Sequence, residues 1–439
     1  MTKRLLPLLR TAMYSLRGGF LVRPLLISIA LGLLGAVLSS LEETVPALSA
    51  WVPTVLFPSR ADPQVAQIIL ATIAASIMTV VSIVFAILLM TLTLASMQFS
   101  PRILLSFVKD RVTQWTLGIF LGTFAYCMAA LPAARSLPHP FSPVATVTCA
   151  MLLAVICVAW LIFFIHHISQ AISVNHIVDR IARETEGVID DIMPHPLRYA
   201  YEQEGVPYDG NKSEVLVASA VSGYIRYVDT GQLLKLAKAF KLRVRILRRV
   251  GHFVPAGVAL FGASPEDRLD PERARELRAA FDIGPTRTMQ QDVEFGVIQI
   301  VDIALKAVSS AVNDPSTAIS CVDQLGRILI RFVSRHTPVP LLCDPPHVVR
   351  VIVPWIGTEN LLDTAFEQIH HYSVSDIAVS LRILRALDDI ASTCGDTRIV
   401  ESLIVRGRRV LAGCAERLGP EQIEKLRLRL AALEARVNS

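Results

Sequence analysis

The chain has 439 residues, of which 52% are hydrophobic and 18% charged, with a formal net charge of +5 and a mean hydropathy of +0.49. It is too long for one ordinary core and too apolar for an entirely soluble protein. Its small basic excess is gathered near the borders of apolar runs, which is a topology signal and argues against nucleic acid as a partner.

Lys3, Arg4, Arg10, Arg17 and Arg23 precede an apolar run at 24–41. No small-residue cleavage site follows that run, so it reads as a retained first span and not as a signal peptide. The next stretch, 65–100, is VAQIILATIAASIMTVVSIVFAILLMTLTLASMQFS and contains no charge. As a helix it would be about 54 Å long, against about 30 Å of bilayer hydrocarbon. A second span at 65–97 is expected, projecting beyond the membrane and stopped by Pro101. A third span follows at 112–131 and a fourth at 143–165.

Arg102, Lys109 and Arg111 lie between spans two and three, whereas Arg60 and Arg135 stand alone in the other two loops. With the basic N-terminus, this asymmetry places both chain ends in the cytoplasm of a multi-pass inner-membrane protein. Seven cysteines, with no CxxC pair and no zinc-type histidine spacing, give no disulfide framework. No metal or cofactor is expected.

On the long second span, Thr72, Ser76, Thr79, Ser82, Ala86, Thr93, Ser96 and Ser100 recur at steps of three, four or seven, sharing one face. They could line a conduit, since uncharged hydroxyls strand no charge in lipid. They could equally serve close helix packing, the more ordinary use of small and hydroxyl side chains. Gly118 and Gly122 make a GxxxG in span three, a common pattern pointing to close helix contact. The absence of charge inside spans two, three and four removes the usual mark of a proton-coupled transporter or voltage sensor.

Beyond span four, Ile165, Ile168, Ile172, Ile177, Ile181, Val188 and Ile192 continue at helical spacing, predicting a cytoplasmic helical extension over 167–194. His166, His167 and His176 on it do not make a metal-binding pair and read as interfacial or solvated. A Pro- and Gly-bearing linker leads to strand-like runs at 214–221, 223–229, 242–248 and 253–260, with a short helix at 232–240. This stretch looks like the half-barrel of biotinyl/lipoyl-type folds, with Gly251, Val254 and Gly257 as its G-x-x-V-x-x-G return. No lysine stands in a Met-Lys-Met hairpin, so no prosthetic group is implied. A small β-barrel-like domain over 213–263 is expected, structural or regulatory in role.

Residues 264–439 read as mostly helical. After a charged helix at 271–281, a helix at 291–309 places Asp292, Gln299, Asp302 and Lys306 on one face among Val297, Ile300, Val301, Ile303 and Leu305. Such a stripe must be paired or hydrated, and Arg287 is the candidate partner. Asp314 reads as the N-cap of the next helix, with Asn313 before it and Pro315 at its first position. An extended run at 347–354 precedes helices near 358–371, 373–392, 397–412 and 420–437. Ser309 and Ser310 have no base nearby in sequence. GxSxG, P-loop, HExxH and GxGxxG motifs are all absent, so an enzyme is not favoured.

Two segments, FSPRILLSFVKDRVTQWTLGIFLGTFAYCMAAL and RTMQQDVEFGVIQIVDIALKAVSSAVNDPSTA, resemble the bacterial predicted-membrane-protein family with a domain of unknown function. The resemblance spans nearly the whole chain and implies four N-terminal spans and a cytoplasmic domain, without supplying an activity.

The expected fold class is thus an α-helical membrane domain of four transmembrane helices (1–166), then a cytoplasmic α+β domain with a β-barrel-like unit and a helical C-terminal part (264–439). The leading functional reading is an oligomeric channel, with Thr72, Ser76, Thr79, Ser82, Thr93 and Ser96 as pore-lining candidates. The alternative is a membrane-anchored scaffold or sensor whose polar site, Arg287, Asp292, Gln299, Asp302, Asn313 and Asp314, binds a protein or small ligand. Expected partners are the lipid bilayer, further copies of the chain and an ion or small molecule.

Overall fold

The computed structural model describes residues 22–45, 62–98, 111–135, 141–171, 173–193, 214–335, 341–344 and 348–438, without the side chains of 94–98, 171, 437 and 438. They form two compact units, one ending at Ser173 and the other starting at Val174.

The first unit contains four helices long and apolar enough to cross a membrane: α1 (Val22–Thr44), α2 (Pro63–Gln98), α3 (Arg111–Ala130) and α4 (Val144–Ala171). Each contains a long apolar run, and a helix satisfies its backbone bonds internally, the condition for spanning lipid. The core row of α2 is Ala66, Leu70, Ala74, Ile77, Val81 and Val84. It meets Tyr126, Cys127 and Phe120 of α3 and Val147, Cys157 and Phe164 of α4. Leu152, Val155, Val158 and Ile162 of α4 and Leu25, Leu26, Ile29 and Leu33 of α1 stay exposed, giving the bundle an apolar exterior.

Helices α1 and α3 approach closely where glycines of each meet the other helix. A Cβ on Gly35 would lie 2.6 Å from the Tyr126 carbonyl oxygen, and one on Gly118 2.6 Å from Ile27 Cδ1. Gly122 lies against Leu31, so the GxxxG pair seats the first span.

The second unit opens with α5 (Val174–Ile192). The single helical extension expected after span four is two helices, since α4 ends at Ala171 and α5 starts at Val174. Ile177, Val178, Ile181, Ala182 and Ile189 make the buried face of α5. Its charged face meets α9 (Pro315–Val333): Arg327 pairs with Asp179 and Glu186, and Arg331 and Arg335 with Asp190.

The strands are β1 (Val215–Ala218), β2 (Gly223–Val228), β3 (Arg243–Ile246), β4 (Phe253–Val254), β5 (Ala259–Ser264), β6 (Phe281–Gly284), β7 (Leu341–Asp344) and β8 (Val348–Ile352). They make two open sheets, β1-β5-β3-β8-β7 and β4-β2-β6, so the described residues hold no closed barrel where a barrel-like unit was expected. The physical reason is that β6 and β8, from beyond residue 263, supply pairing partners for β2 and β3, and β7 extends the larger sheet by pairing with β8. β8 runs parallel to β3, with Val244 opposite Val351.

Helix α6 (Thr230–Ala239) covers this core through Leu233 and Ala237, beside Val244, Leu260, Phe261 and Val351. The charged helix expected over 271–281 is shorter: α7 (Pro271–Arg278) stops before Phe281, which opens β6 and stacks on Phe261 at 5.6 Å. Burying such an aromatic contributes about 2–3 kcal/mol, more than one further helical turn would.

The remaining helices are α8 (Val293–Ala307), α10 (Thr358–Ser373), α11 (Ile377–Thr393), α12 (Thr397–Cys414) and α13 (Pro420–Glu434). α8 is the central one, with Val297, Ile300, Ile303 and Ala304 buried.

Candidate functional site

A buried polar cluster in the second unit lies where the turn between β3 and β4 meets the start of α8. Asp292 is the N-cap of α8: its carboxylate accepts the Phe295 amide at 3.0 Å. It was expected on the helix face, at seven residues from Gln299. It stands one step before the helix instead, where a carboxylate satisfies an amide that the helix leaves open.

Arg287 reaches Asp292 with two donors, Nε at 2.8 Å and Nη2 at 2.9 Å, and Glu294 with Nη2 at 3.0 Å. Arg249, from the turn, donates to the other Glu294 oxygen at 2.9 Å. Two guanidiniums and two carboxylates thus balance, and Asp292 is 3% exposed. Arg287 also stands 5.4 Å over the Phe295 ring.

The turn is pinned by backbone bonds. Gly251 donates to Ile225 and Ile225 to His252. Gln291 clamps the other end, accepting from the Val228 amide at 3.0 Å and donating to its carbonyl.

The charges tune one another. Burial pushes the Asp292 carboxyl above the usual carboxylate range against the pull of Arg287 and the Phe295 amide. Burial opposes ionisation of Glu294 too, yet Arg249 and Arg287 together hold it below its usual range. Burial and the nearby Arg249 lower His252, keeping that imidazole neutral.

The six polar candidates do not converge. Arg287 and Asp292 meet at the N-terminus of α8. Gln299 is buried two turns along, and Asp302 is half-buried and engaged in an interaction of its own. Asn313, exposed at φ 50°, and Asp314 follow the other end, with about 20 Å of helix between. Asp314 caps α9, accepting the Thr317 amide at 3.1 Å and its hydroxyl at 2.5 Å. Glu294 and Arg249 escaped the sequence reading. Glu294 lies off the face that carries Gln299 and Asp302, and Arg249 is brought in only by the turn. The resulting network is closed on itself and has the character of a lock between turn and helix.

On α2, Thr72, Ser76, Thr79, Ser82 and Thr93 are exposed, on the side away from the core row. The hydroxyls of Thr79, Ser82 and Thr93 donate to carbonyls one turn earlier, at 3.2, 3.0 and 2.8 Å. The Ser96 side chain and Ser100 lie outside the described residues. Packing among the described residues therefore does not use this face.

Sequence reading also missed Glu42. It is 1% exposed at the end of α1 and binds the first turn of α4. Among the described residues, no group of three or more His, Cys, Asp or Glu is placed to hold a metal ion.

Four apolar spanning helices followed by a mixed unit of two small sheets and packed helices define a multi-span membrane protein with a large polar domain. Within that class the chain belongs to the predicted membrane protein family DUF2254, whose model matches residues 17–389. It is 32% identical over 344 residues to uncharacterized proteins of Mycobacterium bovis and Mycobacterium tuberculosis, an alignment covering 77% of this chain and 66% of each relative. The chain thus spans 66% of the length of these curated relatives. No solved structure matches it.

Proposed function

We propose that the protein is a homo-oligomeric channel of the inner membrane, with both described ends of the chain on the cytoplasmic side, in which α2 of each subunit turns its hydroxyl face toward a shared axis. One observation carries the reading: Thr72, Ser76, Thr79, Ser82 and Thr93 are all exposed. Hydroxyls that served packing within the subunit would be buried. The exterior of α4, by contrast, presents Leu152, Val155, Val158 and Ile162, the composition lipid favours. Four spans of a single subunit rarely leave room for a bore, so a conduit needs several copies around an axis. The polar unit then serves as the regulatory part.

Two measurements test this. The mass of the full chain in lipid nanodiscs should correspond to about four or more copies. Thr79→Leu combined with Ser82→Leu should abolish ion flux in liposomes while leaving that mass unchanged. A monomer or dimer, or full flux through the double variant, overturns the reading. The polar unit would then be the part to screen for ligands.

A further inference from the structure

Helices α5, α9 and α11 of the second unit start at one end and run the same way. Asn175 of α5 accepts from the Ser320 hydroxyl of α9 at 3.0 Å, and further along Arg327 meets Asp179 and Glu186, then Arg331 meets Asp190. Arg382 of α11 pairs with Asp323 of α9, and Ala386 lies against Gly326. Partner numbers rise together in both pairs, so the three helices are parallel. From Ser320 back to Asp314 is about 9 Å of helix, which puts the turn from α8 into α9 past the start of α5. The same step back from Arg382 reaches Asp376, so the turn from α10 into α11 stands at this end as well.

Both turns expose a large side chain with apolar area: Val312 is 51% and Tyr372 65% exposed. Their carboxylates are taken up as caps, Asp314 by the Thr317 amide and hydroxyl and Asp376 by the amides of Ala378 and Val379. The turn after α12, which follows Gly413 beside His370, carries Glu416 and Arg417, whose charges cancel. At the opposite end, where α10 and α12 begin, Gly357, Asn360, Asp396 and Thr397 are exposed instead.

We propose that the end carrying Val312 and Tyr372 rests on the headgroup layer of the bilayer that the four spans cross, with these two side chains set into it. Helix α4 has 28 residues, about 42 Å, enough for the hydrocarbon and both headgroup layers. Its last residue is thus at the bilayer surface. The connection from Ala171 to Val174 reaches at most about 11 Å, so it keeps the start of α5 near that surface at any angle between the two units. The two turns project past that start, on the side from which the chain arrives. Tyrosine suits a lipid–water boundary, with its ring among acyl carbons and its hydroxyl among headgroups. The exposed valine leaves apolar area in water that the same boundary takes up. With both carboxylates capped, this end meets an anionic leaflet with little repulsion.

The test uses the full chain in nanodiscs of ordinary lipid and of lipid brominated on the acyl carbons next to the headgroup, which quenches tryptophan on contact. Val312→Trp and Tyr372→Trp each add one emitter to the four native tryptophans, and the emission above that of the wild type isolates it. The positions are exposed, so neither replacement disturbs packing. The added emission should fall to about half or less in brominated lipid, since a side chain seated about 5–10 Å into the interface meets the bromines. Thr397→Trp, exposed at the opposite end, should emit equally in both lipids. Unchanged emission at either 312 or 372 overturns the proposal and leaves that turn to water or to a second copy. Quenching at 397 to the same degree overturns it too, because lipid contact would then not distinguish the two ends.

Discussion

Gly251 lies against Asp292 so closely that a Cβ on the glycine would collide with the carboxylate and come within 2.6 Å of Arg287 Nη2. Its φ of 88° is in the left-handed region. The turn between β3 and β4 can therefore reach the ion-pair network only with glycine at this place. Gly251→Ala should lower stability by at least about 2 kcal/mol, from the backbone conformation and the displaced pair together. Gly257, at φ 84° with open space around it, isolates the first cause, and Gly257→Ala should cost only about 1 kcal/mol. Thermal unfolding of the two variants compares them, and equal losses would show that the contact with Asp292 is without weight.

The network predicts an asymmetry between removing and replacing its central cation. Arg287→Ala leaves Asp292, 3% exposed, with only the Phe295 amide, whereas Glu294 keeps Arg249. Loss of one partner of so buried a pair costs about 3–5 kcal/mol. Arg287→Lys restores the charge without the planar fork that serves two carboxylates, so it should recover part of that loss and not all of it. Denaturation of both variants provides the comparison, and full recovery with lysine would mean that charge alone suffices.

What could be read from the sequence follows the range of the interaction concerned. The four apolar runs and the cap formed by Asp314 and Pro315 are local signals, and both stand as helix and helix start in the structure. Asp292 was assigned to a helix face because its spacing to Gln299 fits a helix repeat. That spacing is equally met by a residue one step outside the helix. Pairing of β3 with β8, which turned an expected barrel into an open sheet, joins Val244 to Val351 across α8 and α9, and no local pattern encodes it. Glu42 was legible only as an acidic residue after a span, since its partners lie on the fourth.

Contact between the first and third spans can be tested at two glycines with different neighbours. Gly35 faces the Tyr126 backbone, which cannot move aside, while Gly118 faces first the end of the Ile27 side chain. Gly35→Ala should destabilise the bundle by about 1–3 kcal/mol, and Gly118→Ala by less. Melting temperatures of the two variants in nanodiscs give the order. The reverse order would mean that the spans shift apart at Gly35 without loss.

The charged face between α5 and α9 should respond to salt. Arg327 donates to Glu186 and Asp179 at 2.9 Å each, but its side chain is 38% exposed. With solvent screening discounted, Arg327→Ala should cost only about 1 kcal/mol. Arg327→Glu sets like charges together and should cost more, most of all at low ionic strength. Hydrogen exchange in α5 measured at low and high salt distinguishes the two. A salt-independent effect would assign the loss to packing of the arginine stem.

Acid should weaken the turn through His252. Burial, and then Arg249 with Arg248 and Arg287 beside it, outweigh the pull of Glu294 and hold this imidazole below its ordinary value. An unfolded chain takes up the proton near pH 6.5, at about the reference value. The contribution of neutral His252 is thus complete above that pH and is lost as the pH falls toward the lower folded value. His252→Gln should remove this first phase of acid destabilisation. A later phase should remain from Glu294, which Arg249 and Arg287 hold ionised and whose contribution disappears as the pH drops through its depressed value. Exchange protection of β2 and α8 in the full chain, followed from about pH 8 to about pH 4, separates the phases. If the glutamine variant and the wild type lose protection along one curve, His252 does not set the acid limit of the turn.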